Sequence, residues 1–472
     1  MKTGITNFLI EHAAADTVWF HMPGHKGAKY FRDNGHQDFL DLFVDGDITE
    51  IIGADNLFQP EDVILETMEK YCKLYDSRKT YLMVNGTTGG IQSAIMSQVG
   101  PGQKLIMARN CHKSCFNGLI LAGGQPVYAY PEIIEEYGIA GEMKASEIER
   151  CILANPEATA VILPSPNYYG ICSDIKAIAE VCHAHDVTLI VDQAHGAHLK
   201  FFSKMGDPSW GYTKSAEEQG ADIIINSIHK TLGSFTQSGV LNVMTDRIDL
   251  VTLEDKIQMN ESTSPSYLLM ASLDVAADIL EESGEKLIHN WHSDINWFLE
   301  EAKAIPGLKL VKPAKNFDDT KLNLDMSAYG LDGAALEEEL LKYGIGLELT
   351  TGNIAMCMTG IGQVRKDYER LIEALKDISS KYDMVEIPRV HAIPEAGALE
   401  LSEIPRDKER IPLADATGRV CAGAIIPYPP GIPIACPGEI LTEELVQHVL
   451  ALRKSGIKVI GISEDMKVTV GR

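Results

Sequence analysis

The sequence predicts an α/β fold: a largely parallel β-sheet covered by helices, with smaller α/β units after it. Three observations lead there. Between Thr80 and Met244, short apolar runs alternate with helical patterns, as expected of βαβ units. Those runs are apolar on both faces, as strands buried between two helical layers must be. The 472 residues also exceed what one hydrophobic core holds, which implies two or three domains.

Taken in order, the chain opens with a short helix, Asn7 to Ala15. The segment His21-Met22-Pro23-Gly24-His25-Lys26-Gly27 follows, where Pro and Gly forbid regular structure and suggest a rigid loop or arm. Residues 45–60 also read as loop, and Glu61 to Tyr75 as helix. The alternation then runs Thr80 to Val84 (strand), Gly90 to Val99 (helix), Lys104 to Ala108 (strand), Lys113 to Ala122 (helix) and Pro126 to Tyr130 (strand). It continues with Ala145 to Ala154 (helix), Ala160 to Leu163 (strand), Ile175 to His185 (helix), Val187 to Val191 (strand), and the strands Ala221 to Ile225 and Val240 to Met244. Beyond Ser264 two helices are predicted, Tyr267 to Glu282 and Glu285 to Ala304, ended by Pro306 and Gly307. A second α/β unit follows: strand Lys321 to Met326, helix Gly333 to Tyr343, strands Gly346 to Leu349 and Ile354 to Met358, helix Lys366 to Ser379. After Pro388 the chain is Pro-rich up to Pro437, and a last helix spans Thr442 to Ser455 with Thr442 as its N-cap.

Composition excludes some functions. Hydrophobic content is 45% and charged content 23%, ordinary for a globular protein. A net charge of −25 argues against a nucleic-acid partner, which requires a basic surface. The acidic field would instead draw in cationic small molecules. Nine cysteines without a C-x-x-C pair, and no signal peptide, point to reduced thiols and a cytoplasmic location. In Cys182-His183-Ala184-His185 no second ligand pair follows at zinc spacing, so no metal site is expected. No apolar run reaches transmembrane length.

The chemistry gathers around Ser227-Ile228-His229-Lys230-Thr231-Leu232. Lys230 lies just past a buried strand. Its amine can form a Schiff base with an aldehyde cofactor if desolvation or a nearby cation lowers its pKa. Alone, such a lysine is more often an ordinary loop residue. Three further stretches, each following a predicted strand, change that. In Asn85-Gly86-Thr87-Thr88-Gly89-Gly90 the glycines permit close approach of a phosphate to a helix N-terminus, and two hydroxyls add donors. No Gly-Lys-Ser/Thr follows, so it is not a Walker loop. Asp192, in Asp192-Gln193-Ala194-His195-Gly196-Ala197-His198, ends a very apolar strand and needs a partner there. A pyridinium N–H is such a partner, and an N-cap or a structural ion pair is the plainer alternative. The small Ala194 admits a flat ring, and His195 can donate to a phenolic oxygen. His112, in Arg109-Asn110-Cys111-His112-Lys113-Ser114, can stack on that ring. Together they point to pyridoxal 5'-phosphate (PLP), an electron sink while its ring nitrogen stays protonated.

The order of phosphate loop, stacking residue, carboxylate and lysine resembles that of fold type I PLP enzymes. These stretches, with His21 to Lys26, Ser262-Thr263-Ser264-Pro265 and Pro427-Tyr428-Pro429-Pro430-Gly431-Ile432-Pro433, resemble the ornithine/lysine/arginine decarboxylase family in its short form. The resemblance covers most of the chain. It implies an N-terminal arm (1–60), a PLP-binding large domain (61–285), a small α/β domain (286–385) and a C-terminal decarboxylase-type domain (386–472). It implies PLP-dependent decarboxylation of arginine, lysine or ornithine to the amine and CO2. Lys230 would carry the cofactor, Asp192 would pair with the ring nitrogen, and His112 would stack. Gly86, Thr87, Thr88, Ser227 and His229 would hold the phosphate, and His229 or Lys230 would return a proton to Cα. Thr263, within Ser262–Ser264, would approach the cofactor of a neighbouring subunit, making a homodimer with shared active sites the smallest active unit. A higher oligomer is compatible with this. Glu348 would meet the distal cation of the substrate.

Some positions depart from the family pattern. Gln193 stands where Glu is usual, and Leu349 where a lysine is usual, which leaves the substrate open. The N-terminal receiver-like domain of larger acid-inducible members is lacking, so their large ring assemblies are not expected. Another fold type I reaction, such as an aldolase or transaminase, and a non-catalytic PLP-binding homologue remain as alternatives.

Overall fold

Seven short apolar runs form one sheet in the computed structural model, which describes residues 4–385, 399, 403–428, 433–454 and 457–472. They are β1 (Lys79–Met83), β2 (Lys104–Ala108), β3 (Gln125–Ala129), β4 (Ala160–Pro164), β5 (Thr188–Asp192), β6 (Ile223–Asn226) and β7 (Gly239–Val243), in the order β1-β7-β6-β5-β4-β2-β3. β7 runs antiparallel to both its neighbours. The remaining pairs are parallel. Every residue of β5 and β6 is buried, which explains why these runs read as apolar on both faces.

Parallel neighbours need long crossovers, and helices supply them. After α1 (Ile5–Ala14) and α2 (Val63–Tyr75) come α3 (Gly86–Gln98), α4 (Lys113–Ala122), α5 (Ala145–Ala154) and α6 (Ile175–Ala184). α5 buries Ile148, Cys151 and Ile152, one face at i, i+3, i+4 spacing. α4 stops at Gly123, which takes the left-handed conformation (φ 68°) that favours glycine. α6 starts where the Asp174 side chain accepts the Ala177 N–H at 3.1 Å. The register sets Asp192 opposite Pro164 on one side and Ile225 on the other. The carboxyl ends of β4, β5 and β6 are therefore level, and the loops after them converge.

Some expectations shift. The stretch Gly86–Gly90 is not a loop before a helix, because α3 begins at Gly86 and these residues are its first turns. After α7 (Ile228–Thr231) and α8 (Leu250–Asn260), the two helices expected on either side of residue 284 are one, α9 (Tyr267–Ala302). Gly284 does not break it, because tertiary packing overrides its weak propensity. A Cβ there would lie 2.8 Å from Met205 Sδ, so the missing side chain makes room for a neighbour. The expected 285/286 boundary falls inside this helix.

The second unit is an antiparallel sheet, β8 (Lys309–Leu310), β9 (Lys321–Asp325), β10 (Leu349–Thr351) and β11 (Ile354–Met358), ordered β8-β9-β11-β10. α10 (Gly333–Lys342) and α11 (Arg365–Lys381) accompany it. The strand expected over 346–349 splits at Glu348. Ile345–Leu347 leaves this sheet and pairs in parallel with Val18–Phe20 of the N-terminal arm. The arm then packs on α7: Gly24 N–H donates to His229 O at 2.8 Å, and a Cβ on Gly24 would sit 2.2 Å from Leu232 O.

The C-terminal region has its own core, including Leu413, Ile425, Val446, Val449 and Val470. α12 (Glu443–Lys454) is capped as expected, Thr442 Oγ1 accepting the Leu445 N–H at 3.2 Å. Residues 429–432 of the proline-rich motif, and most of 386–402, lie outside the described residues. Arg109 joins this region to the large sheet. Its guanidinium is bidentate to the fully buried Glu439 (3.1 and 2.9 Å) and donates to Pro433 O and Ile434 O at 2.6 and 3.2 Å. Among the described residues, no helix is long and apolar enough to cross a membrane, and no group of three or more metal-ligating side chains gathers.

Candidate active site

Lys230 sits on the single turn α7, started by Ser227 directly after β6. Its Nζ lies 2.9 Å from His195 Nε2. Burial lowers its pKa and Lys321 adds to that, while Asp192 and Glu348 pull the other way. Opposite it, Asp192 at the end of β5 accepts the Ala194 N–H at 3.1 Å. Burial raises its pKa and Lys230 opposes the rise. A buried carboxylate and a desolvated amine thus face one enclosed cleft. Thr87, His112, Ala194 and His195 line it with them.

His112 caps α4. Its Nδ1 accepts the Ser114 N–H at 3.2 Å and lies 2.8 Å from Ser114 Oγ. Burial, then Lys230 and Lys113, lower its pKa to about 3, so it lines the cleft as a neutral ring. Gly86 has φ +74°, a backbone that favours glycine, and opens α3 with its free amides. Thr87 Oγ1 and Ser227 Oγ lie 3.1 Å apart at that N-terminus. Gly239 stands close by: a Cβ there would lie 3.1 Å from Thr87 Cγ2 and 2.6 Å from Asn226 O.

Other sequence-chosen residues lie elsewhere. Thr88 and Thr263 are exposed, and neither lines the cleft. His229 is buried, its Nδ1 donating to Ser238 O at 2.8 Å, and burial lowers its pKa to about 4. Glu348 stands beside the arm, accepting the Met22 N–H at 3.2 Å, with His21 Nδ1 at 3.7 Å. Gln193 turns away from Asp192. Its Nε2 donates to Glu217 Oε2 (2.9 Å) and Asn226 Oδ1 (3.0 Å), and its Oε1 accepts the Ala216 N–H at 2.7 Å.

Sequence reading missed Pro164, Pro166, Asn167 and Tyr168, which with Ile91 complete the lining. Tyr168 packs on His195 with ring centroids 4.6 Å apart. Their one signal was position, directly after a buried parallel strand. It also missed the charge layer beneath His195. Buried Lys321 donates to His195 O at 3.2 Å and pairs with Asp318 at 3.3 Å, and Asp318 holds His198 at 3.1 Å. Asp318 and Lys321 are three residues apart, but they meet His195 and His198 only in the folded chain, and no local pattern marks that contact.

The site suits PLP by one test. His195 Nδ1 is buried with no hydrogen-bond partner among the described residues. An orphaned buried polar atom is costly unless a ligand satisfies it. The same cleft offers a desolvated amine for an aldehyde, a carboxylate for a ring N–H, and a glycine-opened helix end for a phosphate.

Comparison with known proteins agrees. Residues 3–317 match the family described as Orn/Lys/Arg decarboxylase, major domain, and residues 384–470 match its C-terminal domain. A Bacillus subtilis arginine decarboxylase is 33% identical over 98% of this chain and 95% of its own length. The solved Pseudomonas aeruginosa lysine decarboxylase A shares the fold, with a TM-score of 0.75 at 21% identity, covering 98% of this chain and 80% of that one. A solved SPT variant with PLP matches more distantly, with a TM-score of 0.59 at 13% identity over 77% of this chain and 88% of its own. The architecture is that of fold type I PLP enzymes.

Proposed function

The chain belongs to the Orn/Lys/Arg decarboxylase family, and from that premise we propose that it removes CO2 from a basic L-amino acid, with PLP as cofactor and arginine the first substrate to test. The observation that carries this reading is the shared cleft of Lys230, Asp192 and His112. Lys230 would hold the cofactor's aldehyde carbon, Asp192 its ring nitrogen, and Gly86, Thr87 and Ser227 its phosphate. When bound, PLP supplies an electron sink for the pair left at Cα as the Cα–carboxylate bond breaks.

The chain's own residues do the rest. Asp192, disfavoured as a free anion by burial, gains from a cationic N–H partner. His112 presents a neutral ring face. The apolar walls, Ile91, Pro164 and Pro166, would keep water from the reacting Cα until a proton arrives. Lys230 lines the cleft and His229 does not; the Nδ1–H of His229 goes to the Ser238 carbonyl, which leaves only its Nε2 for any proton transfer. On that ground Lys230 is the proton donor to Cα in this proposal. Glu348 would pair with the distal guanidinium or ammonium, a contact strongest when bidentate to guanidinium.

A homodimer supports this site. α1 buries none of its residues, and Phe8, Ile10, Phe43, Val44 and Ile52 stand exposed. Such apolar surface marks an interface, and the exposed Thr263 segment would serve the neighbouring cleft. The test is CO2 release by purified protein from arginine, lysine and ornithine, with Lys230→Ala as control. Release from one of the three, abolished in the variant, is expected. A keto acid without CO2 would replace this reading with a transaminase, and activity in Lys230→Ala would end it.

A further inference from the structure

A second carboxylate stands behind the cleft. Glu261 ends α8, where its backbone turns extended (φ −93°, ψ 153°), and only 6% of its surface is exposed. Its Oε2 accepts two consecutive backbone N–H groups, Val84 at 3.2 Å and Asn85 at 2.9 Å. These are the last two residues before α3 begins at Gly86. Its Oε1 is buried with no hydrogen-bond partner among the described residues. That oxygen faces the first turn of α3, since a Cβ on Gly89 would lie 3.0 Å from it. Other bonds tie the same two pieces together. Asn85 Nδ2 donates to Asn260 O at 2.7 Å, and Ser93 Oγ to Lys256 O at 3.1 Å. From the other side, Gln237 Nε2 holds Val84 O at 2.7 Å.

Buried amides are satisfied as a rule, and mostly by backbone. Here two amides at the turn into α3 are satisfied instead by one side chain more than 170 positions away. Without it, those donors would be left unpaired or would draw water into the turn. The amides of Gly86, Thr87 and Thr88, which a phosphate would use, follow immediately in the chain.

We propose that Glu261 is the positioning residue of the phosphate cradle: it holds the β1–α3 turn so that the free amides of α3 converge on the cofactor's phosphate. Glu261 does not touch the phosphate itself. Burial raises its pKa to about 7. The carboxyl is thus readily neutral beside an anion, and a neutral amide can replace it. This inference rests on reading Gly86–Thr88 as the phosphate site.

The test measures dissociation constants of the full-length apoprotein for pyridoxal phosphate and for pyridoxal, by absorbance and fluorescence, in wild type, Glu261→Gln and Glu261→Leu. Wild type should prefer the phosphorylated form strongly. Glu261→Gln retains an acceptor for both amides and should stay within about twofold of wild type. Glu261→Leu should bind pyridoxal phosphate about tenfold more weakly and pyridoxal unchanged. Glu261→Ala, which admits water to the two amides, serves if the leucine variant does not fold. Equal loss for both ligands would mean a merely structural role and would overturn the proposal, as would no loss for either. If wild type does not discriminate between the two ligands, the cradle reading itself fails, and that result is separate from either outcome in the variants.

Discussion

Replacing Gln193 with Glu tests whether a buried charge network dictates the residue beside Asp192. Gln193 Nε2 donates to Glu217 Oε2 and to Asn226 Oδ1, at 2.9 and 3.0 Å. Glu217 in turn accepts from Asn226 Nδ2 and Asn242 Nδ2, at 2.7 and 3.2 Å. In Gln193→Glu an oxygen replaces that nitrogen and meets two oxygens. The charge-assisted bond to Glu217 is worth about 1.5–3 kcal/mol and the neutral one to Asn226 about 0.5–1.5 kcal/mol. The new carboxyl can recover the first by keeping its proton, which raises its folded pKa above the unfolded value. Stability from such a group is full below the unfolded pKa and is lost as pH rises towards the folded one, at up to about 1.4 kcal/mol per pH unit. The variant should therefore be destabilised by about 2–3 kcal/mol at pH 5.5, the lost neutral bond plus about 1.6 kcal/mol for the interval above an unfolded pKa of about 4.3, and by up to about 2.7 kcal/mol more at pH 7.5. Urea midpoints of both proteins at the two pH values measure this. The exchange Gln193→Glu with Glu217→Gln should restore most of the loss. The amide introduced at position 217 would donate to the carboxylate at position 193 and keep its oxygen for Asn226 and Asn242. A loss independent of pH, or no rescue by the exchange, would refute the argument.

Three further outcomes are expected. Capture of pyridoxal phosphate by the apoprotein should quicken as pH rises through the burial-depressed pKa of Lys230, because the neutral amine is the nucleophile. Stopped-flow absorbance should show the plateau at a lower pH than a solvent-exposed lysine amine would give. Glu348→Gln should lower kcat/KM for the preferred basic amino acid roughly 10–100-fold, mostly through KM, as a charged hydrogen bond is lost. Arg109→Met leaves Glu439 buried and unpaired, at a cost of about 3–5 kcal/mol. Limited proteolysis should then cut first near residues 433–439, and an unchanged cleavage pattern would count against that contact as the joint between the two regions.

The fold was legible in the sequence because its strands are short and apolar throughout. Lys104–Ala108, Ala145–Ala154 and Ile354–Met358 fall where periodicity puts them. Lys230, Asp192, His112 and the Gly86 turn were legible for a related reason. Each follows a strand, and parallel strands end at one edge, so linear order alone brought them together. Where local signals conflicted with packing, sequence reading failed. Two helices were expected, Tyr267 to Glu282 and Glu285 to Ala304, but α9 runs on through Gly284, which packs against Met205.

What only the tertiary structure decided are contacts between residues far apart in the chain. Glu261 on the Val84 and Asn85 amides, Glu217 on Gln193, Lys321 under His195 and Glu439 on Arg109 are of this kind. Each is a buried ionisable side chain whose cost is offset by a partner that no local pattern announces. Which atoms can be brought together is set by register and domain packing, and these depend on the whole chain. By itself the sequence determined the parts of the cleft, their order and their family; the folded chain determined which charges surround them.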